Sequence, residues 1–384
     1  MESIPLLRAV GRVNYEDIRA HINQPPFNCS AIDGYAVRAK DITAAGKQAV
    51  ILRVTQTVFA GDTPARALGP GESAQVTTGA QLPLKADCVV KQEETKYNNG
   101  LAHILANPGK GKNLIFSGEH IRRGEILARR GELLESSHIG ILAGQGFREV
   151  KVYRKAKVGI LSTGNELISA GAVLMPGKIY DSNCPMLAAR VRLLGGEAVF
   201  HSGVEDDIDR LGHTIAALLE EAEVVITTGG VSVGKKDFLP QAGILLGAET
   251  LICRLRYKPG GRVLVLLKEG KLIFCLSGNP FAALTSFELL AAPCLRKLMG
   301  ALDYEPQYAA GVLQHDFTKQ NPLRRFVRAR IINGQVFLPA GVQRSGSLAG
   351  LPGCNCMIDI AAGTGELRKG DTVRVIMFLG GSLL

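Results

Sequence analysis

Between Val158 and Leu290, the apolar and polar positions of the chain repeat one pattern three times. A short apolar run ends in a turn of Gly, Ser, Thr and Asn, and a helical pattern follows. In a doubly wound α/β sheet such turns lie at the carboxyl edge of the strands, where ligands bind. Small residues there let backbone N–H groups approach an anion. Three such turns predict a ligand that carries phosphate, and they lie within residues 158–167, 224–234 and 273–284.

The alternation of strand and helix patterns extends over residues 153–299. This order implies right-handed crossovers and a doubly wound, mostly parallel α/β sheet. We predict strands at 157–162, 197–203, 224–228 and 272–276, and helices at 182–194, 208–221 and 281–298.

The remainder of the chain follows different patterns. Residues 1–22 carry Leu6, Leu7, Val10, Val13 and Ile18 at a spacing that predicts a helix with one apolar face. Short apolar runs broken by Gly and Pro then predict a β-rich domain. A second helix is expected at 136–144, and short strands near the C-terminus predict a β-barrel. The order suggests that one domain is inserted into another.

Composition supports a large folded protein with an anionic ligand. The chain has 384 residues, which is too long for one ordinary core, and 46% of them are hydrophobic. Its net charge is +10 and its pI is about 9.2. Because Lys and Arg are scattered and Trp is absent, we expect no nucleic acid partner. The densest basic cluster, Arg324, Arg325, Arg328 and Arg330, is interpreted as the polar face of a strand.

The eight cysteines are mostly isolated within apolar runs, and the N-terminus has no signal-peptide pattern. We therefore expect reduced, buried thiols and a cytoplasmic location. Cys354 and Cys356 lack the spacing of a zinc site. No apolar run reaches the roughly 20 residues that span a bilayer, so no membrane segment is expected.

The chain contains six short motifs, at residues 30–38, 77–80, 162–167, 180–183, 227–237 and 277–280. They occur in one order along the chain and together resemble the molybdopterin molybdenumtransferase family, whose eukaryotic relative is the gephyrin E domain. The resemblance runs from about Leu7 to the C-terminus.

The resemblance implies a fold and an activity. The activity is insertion of molybdate into adenylylated molybdopterin with release of AMP and with Mg²⁺. A homodimer is implied, with the α/β and barrel domains of one subunit facing the inserted domain of the other, and a molybdopterin adenylyltransferase is a candidate partner. The implied multidomain fold has an elongated domain (1–25 and 114–152), an inserted β-rich domain (26–113), an α/β domain (153–299) and a C-terminal β-barrel (300–384).

The family's catalytic positions can be matched residue by residue. The residues alone leave other roles open: Asp33 could close an Asx turn, an acidic residue at a helix start could be a cap, and Lys258 could be a solvated lysine. By resemblance, Arg254 and Lys258 would hold molybdate. The implied catalytic residues are Asp33, Thr78, Glu166, Asp206, Asp237, Arg254 and Lys258, and the implied metal ligands are Asp237, Glu166 and Asp181.

The three turns and one barrel loop supply the implied contacts with the ligand. Ser345 and Ser347 both match the family's serine stretch in the barrel. The implied binding residues are Thr163, Gly164, Thr228, Gly229, Gly230, Ser232, Gly234, Ser277, Gly278, Asn279, Pro280 and Ser345.

The chain also departs from the family pattern. His120 stands where the family usually has an acidic residue, and Gly261 stands where lysine is common. A histidine titrates near pH 6.5 and prefers softer metals than a carboxylate does. Two alternatives therefore stay open: a paralogue that binds molybdopterin without efficient insertion, and an insertase for another oxyanion such as tungstate.

Overall fold

A computed structural model describes residues 1–205, 207–231, 238–320, 322–341 and 344–378. The first part of the chain, up to residue 152, is built mainly from short strands. In chain order its elements are β1 (Glu2–Pro5), β2 (Ile18–Arg19), β3 (Cys29–Ser30), β4 (Gly34–Val37), β5 (Val50–Val58), β6 (Glu72–Val76), β7 (Cys88–Lys91), β8 (Thr95–Asn98), β9 (Leu101–Ile104), β10 (Leu114–Ile115), β11 (Ile126–Ala128), α1 (Ser136–Gly144) and β12 (Glu149–Val152).

The N-terminal residues pair with the segment that precedes the α/β pattern. Strand β1 lies antiparallel to β12, and β2 lies antiparallel to β11. In the chain between β2 and β11, six strands form a separate sheet in the order β7-β4-β6-β5-β9-β8. Helix α1 occupies the range expected from the sequence.

The helix predicted over residues 1–22 is wrong. The region holds β1, a 3₁₀ turn at Leu6–Arg8 and β2 instead. Its backbone groups form hydrogen bonds with residues far away in the sequence. For example, Leu6 N donates to Arg148 O at 2.9 Å. Leu6 is buried, whereas Leu7 and Val10 are 83% and 55% exposed, so the apolar spacing does not mark one buried face. Long-range pairing has overridden a local helical pattern.

The second part of the chain contains all the longer helices. In chain order its elements are β13 (Lys157–Thr163), β14 (Leu167–Ile168), β15 (Ile179–Tyr180), α2 (Asn183–Leu193), β16 (Glu197–Val204), α3 (Ile208–Glu221), β17 (Val224–Thr228), α4 (Phe238–Leu245), β18 (Glu249–Cys253), β19 (Tyr257–Lys258), β20 (Leu264–Lys268), β21 (Lys271–Leu276), α5 (Pro280–Ser286), α6 (Ala292–Leu298), β22 (Tyr308–Leu313), β23 (Arg324–Ile332), β24 (Gln335–Phe337), β25 (Cys356–Ile360) and β26 (Thr372–Met377).

The α/β sheet is doubly wound and mostly parallel, as the sequence predicts. Its order is β16-β13-β17-β21-β20-β18, in which the first four strands run parallel. Alternate strand residues pack against helices on opposite faces: Ile160 lies in a cluster with Leu187 of α2, and Leu161 lies in a cluster with Leu211 and Ile215 of α3. Each fully buried aliphatic side chain contributes about 1.5–3 kcal/mol.

The start of α3 is set by a cap. The carboxylate of Asp207 accepts a hydrogen bond from Arg210 N at 2.9 Å, which satisfies one backbone donor of the first turn. The capping role that the sequence left open for an acidic residue at a helix start therefore falls here on Asp207. Its neighbour Asp206 lies outside the described residues.

The C-terminal strands close into a β-barrel, as predicted. Strand β23 pairs with both β24 and β25, and β26 joins β25 to β22. Strand β19, which leaves the α/β segment, pairs in parallel with β23. This shared strand pairing fixes the barrel against the α/β domain.

Within the part of the chain that the structure describes, every helix is too short or too polar to serve as a bilayer-spanning segment.

Candidate functional site

The three glycine-containing turns converge at Gly229. Its φ of +103° is one that L side chains rarely adopt. A Cβ placed on Gly229 would lie 2.3 Å from Thr163 O, and one placed on Gly278 would lie 3.5 Å from Gly229 Cα. One turn from each of three neighbouring strands therefore meets at one point. The edge of the parallel sheet presents small residues and backbone groups there, as the sequence predicts.

A chain of polar side chains ties together the carboxyl ends of the parallel strands. Ser162 Oγ, in β13, donates to Asp181 Oδ2 at 2.8 Å and accepts from Gly203 N at 2.8 Å. Asn183 Nδ2 donates to Thr228 Oγ1 and to Gly278 O, both at 2.8 Å. The segment from Asp181 to Asn183 thus contacts β13, the end of β17 and the turn after β21.

Asp181 is occupied by donors of its own chain. Besides Ser162, its Oδ1 accepts from Asn183 N at 2.9 Å and from Cys184 N at 3.2 Å, the first amides of α2. The residue is only 4% exposed. This arrangement supports the capping role that the residues alone left open, and it leaves Asp181 poorly disposed to bind a cation.

Other acidic candidates differ in their surroundings. Glu166 is exposed after β13, and its Oε1 lies 2.8 Å from the position of a Cβ on Gly164. Ser232, Gly234 and Asp237 lie outside the described residues, as does Asp206. The described ranges, which stop at 231 and resume at 238, contain no group of three or more His, Cys, Asp or Glu that could hold a metal ion.

A loop of the barrel lies against the turn after β21. Ser345 O accepts a hydrogen bond from Phe281 N at 3.0 Å, and a Cβ on Gly346 would lie 3.4 Å from Asn279 Oδ1. The structure therefore brings Ser345 next to Asn279 and Pro280. The sequence analysis placed all three residues in the same ligand-binding site. It is the backbone of the loop that makes this contact.

Arg328 holds that loop in place. Its side chain is 1% exposed, its Nη2 donates to Arg344 O at 2.8 Å and its Nη1 donates to Ser347 O at 2.5 Å. The guanidinium also lies over the ring of Phe281, 5.0 Å from the centroid. The basic cluster lies on strand β23, as predicted, but Arg328 itself is buried. Its side chain points inward, toward the carbonyl groups of the loop, whereas Arg330, two residues further on, is exposed.

Asp33 and Thr78 form a second group in the inserted sheet. Asp33 Oδ1 accepts from Thr78 N at 2.7 Å and from Thr78 Oγ1 at 2.8 Å. These two bonds lower the pKa of Asp33, and the backbone bond has the larger effect. Both residues are exposed. The strands beside them, β4 and β6, belong to a sheet that shares no described strand with the α/β sheet.

The basic candidates flank the last part of the α/β domain. Arg254 is exposed just after β18 and has a φ of +68°, and Lys258 is exposed in β19 beside the barrel. A Cβ on Gly261 would lie 2.3 Å from Tyr257 O and 2.4 Å from Leu255 O. The local backbone therefore leaves no room for a lysine at 261. His120 is exposed, and its amide donates to Gln24 O at 3.0 Å.

Two residues of the site were not identified from the sequence. Asn183 lies within a motif that was recognised, but only Asp181 was singled out from it. Arg328 lay in a basic cluster whose burial had no local signal.

The fold defines a class of protein: a multidomain protein with a doubly wound α/β domain between a β-rich insertion and a β-barrel. The chain belongs to the molybdopterin molybdenumtransferase family. Three family descriptions match in order along it: "MoeA N-terminal region (domain I and II)" at residues 1–146, "Probable molybdopterin binding domain" at 159–297 and "MoeA C-terminal region (domain IV)" at 310–378.

Individual relatives agree with this assignment. The chain is 34% identical over 379 residues to proteins named molybdopterin molybdenumtransferase from Staphylococcus aureus and Staphylococcus epidermidis, with 98% of this chain and 90% of each relative covered. A crystal structure of the molybdopterin biosynthesis MoeA protein from Pyrococcus horikoshii is similar, with a TM-score of 0.88 and 31% identity. That match covers 99% of this chain and 95% of the other. A second structure from that organism gives a TM-score of 0.84 at 29% identity, over 98% and 94% of the two chains.

Proposed function

We propose that this chain inserts molybdate into adenylylated molybdopterin and releases AMP, as a transferase of molybdenum cofactor biosynthesis. The observation that carries the proposal is the convergence of the three turns at Gly229, against which a barrel loop packs. Backbone N–H groups and small side chains at such an edge suit a phosphate-bearing ligand. The names of the relatives supply the class of substrate.

Within this proposal, the chain acts mainly by positioning and by balancing charge. The turns that contain Thr163, Gly229 and Gly278 would hold the nucleotide end of the ligand. Arg254 and Lys258 would attract the molybdate dianion as fixed positive charges. Asp33 would stay ionised, because Thr78 stabilises its charged form. Positioning of this kind accounts for most of the catalysis in related transfers of phosphoryl groups.

The residues fit Mg²⁺ in part. Mg²⁺ prefers oxygen ligands and keeps several of its waters, so one or two carboxylates are enough. Glu166 is exposed beside Gly164 and is suitable, and Asp237 stays a prediction from the sequence. Asp181 fits poorly because its oxygens accept from Ser162, Asn183 and Cys184. A bound Mg²⁺ would neutralise charge on the phosphoanhydride.

We further propose a homodimer in which Asp33 and Thr78 of one subunit complete the site of the other. Two groups of site residues support this, since Asp33 bonds to Thr78 beside a sheet that shares no described strand with the α/β sheet. The test mixes two inactive variants, Asp33→Asn and Lys258→Ala. If sites are shared between subunits, mixing should restore up to about one quarter of wild-type activity, because half of the randomly exchanged dimers carry one intact site. A mixture that exchanges subunits and stays inactive would argue against sharing.

The activity itself is tested by reconstitution. The purified chain is incubated with adenylylated molybdopterin, Mg²⁺ and increasing molybdate, and released AMP is measured. We expect AMP release that depends on molybdate. No release across several divalent metals and pH values would exclude the insertase function.

His120 favours one alternative, a paralogue that binds molybdopterin without efficient insertion. Its imidazole stands where the family usually has a carboxylate. Under that alternative, His120→Asp should sharply raise AMP release. A wild-type protein that is already fast, and that is slowed by this substitution, would exclude the paralogue.

A further inference from the structure

Asn183, the first residue of α2, connects two of the three turns by its side-chain amide. Its Nδ2 donates to Thr228 Oγ1 and to Gly278 O, and Thr228 Oγ1 in turn donates to Ser277 O at 3.0 Å. Gly278 O can only accept, and the single hydroxyl proton of Thr228 goes to Ser277. The polarity of the network is therefore fixed, and both Nδ2 protons are used.

The place of this link matters because the strand ladder stops there. The last paired residues of β17 and β21 are Thr228 and Leu276. One further bond, from Gly229 N to Leu276 O at 3.1 Å, follows before the two turns separate. Beyond that point no ladder sets their spacing, and Asn183 bridges Thr228 and Gly278 across the gap.

The amide stays at this place although its burial is costly. Asn183 is 7% exposed, and its Oδ1 is buried without a hydrogen-bond partner among the described residues. A buried polar atom without a partner reduces stability. Packing alone therefore does not explain why an asparagine occupies this position. A donor that spans two anion-binding turns provides an explanation.

We propose that Asn183 is a positioning residue that sets the spacing between residues 228–230 and 277–279. That spacing lets backbone N–H groups of both turns meet one phosphate of the nucleotide end. The inference rests on the proposed function for the nature of the ligand. Asn183 acts through the turns and holds no reacting atom.

The chain contains a matched control far from the turns. Asn14 is fully buried, its Nδ2 donates to Glu16 O at 2.6 Å and to Arg129 O at 2.9 Å, and its Oδ1 also lacks a partner within the described ranges. Asn14 belongs to the N-terminal segment that pairs with residues 126–152. Substitutions at Asn14 and Asn183 thus remove the same chemistry from two different places.

The experiment compares Asn183→Ala and Asn183→Asp with Asn14→Ala and Asn14→Asp in the full chain. AMP binding is measured by calorimetry with Mg²⁺ present, and stability is measured by urea unfolding. We expect the Asn183 variants to bind AMP about tenfold more weakly or worse, since two turns lose their spacing. The Asn14 variants should lose comparable stability and bind AMP within about twofold of wild type.

Steady-state kinetics provide a readout that a merely structural role would not change. The Asn183 variants should raise KM for adenylylated molybdopterin much more than they lower kcat, because uniform binding is lost. If Asn183→Asp does not fold, Thr228→Val breaks the same link from its other end and should weaken AMP binding similarly.

The outcomes separate this inference from the proposed function. The insertase function is excluded if wild-type protein binds AMP but does not release AMP from adenylylated molybdopterin when molybdate is added. In that case the comparison of variants would still decide the role of Asn183. The inference is overturned if the Asn183 variants bind AMP like wild type, if the Asn14 variants lose affinity equally, or if wild type binds no AMP.

Discussion

Asp33 Oδ1 accepts two hydrogen bonds from one residue, the backbone N–H and the hydroxyl of Thr78, at 2.7 and 2.8 Å. The two donors come from a residue 45 positions further along the chain, on the loop after β6. This pairing places a carboxylate with a lowered pKa at the surface of the inserted sheet. It gives the inserted domain a defined anionic group without burying it.

The first prediction concerns this pair. Thr78→Val removes the hydroxyl donor and keeps the backbone donor, so the pKa of Asp33 should rise part of the way to its ordinary value. A carbon-13 NMR titration of the carboxyl group, assigned with Asp33→Asn, measures this. If activity needs ionised Asp33, the acidic limb of the pH profile should move to higher pH in the variant.

A neighbouring threonine serves as the control for the first prediction. Thr77 Oγ1 accepts from Ala60 N and does not contact Asp33. Thr77→Val should therefore leave the titration of Asp33 unchanged. An unchanged titration in Thr78→Val itself would show that the hydroxyl does not influence the carboxylate.

The second prediction concerns Arg328. Arg328→Lys keeps the charge but cannot reach both Arg344 O and Ser347 O with a planar fork. We expect the free energy of unfolding to fall by about 1–3 kcal/mol, because a hydrogen bond between the buried side chain and a loop carbonyl is lost. Faster hydrogen exchange at the Phe281 amide should report the loosened loop, since that amide bonds to Ser345 O.

Arg330 provides the matched control on the same strand. It is exposed, so Arg330→Lys should change stability by less than about 0.5 kcal/mol. Equal effects at the two positions would mean that the buried fork of Arg328 has no special role.

The third prediction concerns the meeting point of the turns. Gly229→Ala would place a methyl group 2.3 Å from Thr163 O at a φ of +103°. We expect a loss of about 1–3 kcal/mol of stability from overpacking, together with loss of AMP binding. Urea unfolding and calorimetry measure the two effects.

Gly212 in α3 is the contrasting glycine. A Cβ there would meet nothing within 4 Å, so Gly212→Ala should be neutral or stabilise the protein by about 0.5–1 kcal/mol. If Gly229→Ala behaves like Gly212→Ala, the turns do not meet as closely as described.

The fourth prediction concerns acid stability of the inserted sheet. Hydrogen bonds from Arg66, from the Gly69 amide and from Arg53 lower the pKa of Glu72 to about 2. Because the folded pKa is depressed, the stabilisation is fully present above the unfolded pKa near 4.5 and is lost as pH falls toward about 2. Glu72→Gln should therefore lower the urea midpoint at pH 7.

The difference between wild type and Glu72→Gln should disappear as pH falls from about 4.5 to about 2. Glu16→Gln removes an exposed ion pair with Lys151 and should change stability by less than about 1 kcal/mol at pH 7. A gap between wild type and Glu72→Gln that persists unchanged at pH 2 would contradict the electrostatic explanation.

Local patterns predicted the α/β domain well and the N-terminal region badly. Strand β17 and helix α3 have the bounds expected from the sequence. Buried strands and amphipathic helices produce apolar patterns within a short stretch of residues, so local analysis can find them. Strand β18 and helix α4 were not predicted. The region before residue 22 was misread as a helix because its backbone pairs with strands more than 100 residues away.

The candidate site shows the same division. The composition of each turn is local, so the sequence was sufficient to locate the three turns and to recognise the family to which the chain belongs. The roles of Asn183 and Arg328 depend on carbonyl and hydroxyl groups that other segments bring near, as with Gly278, which lies 95 positions from Asn183. Hydrogen bonds are short and directional, and so only the folded arrangement of strands could assign those partners.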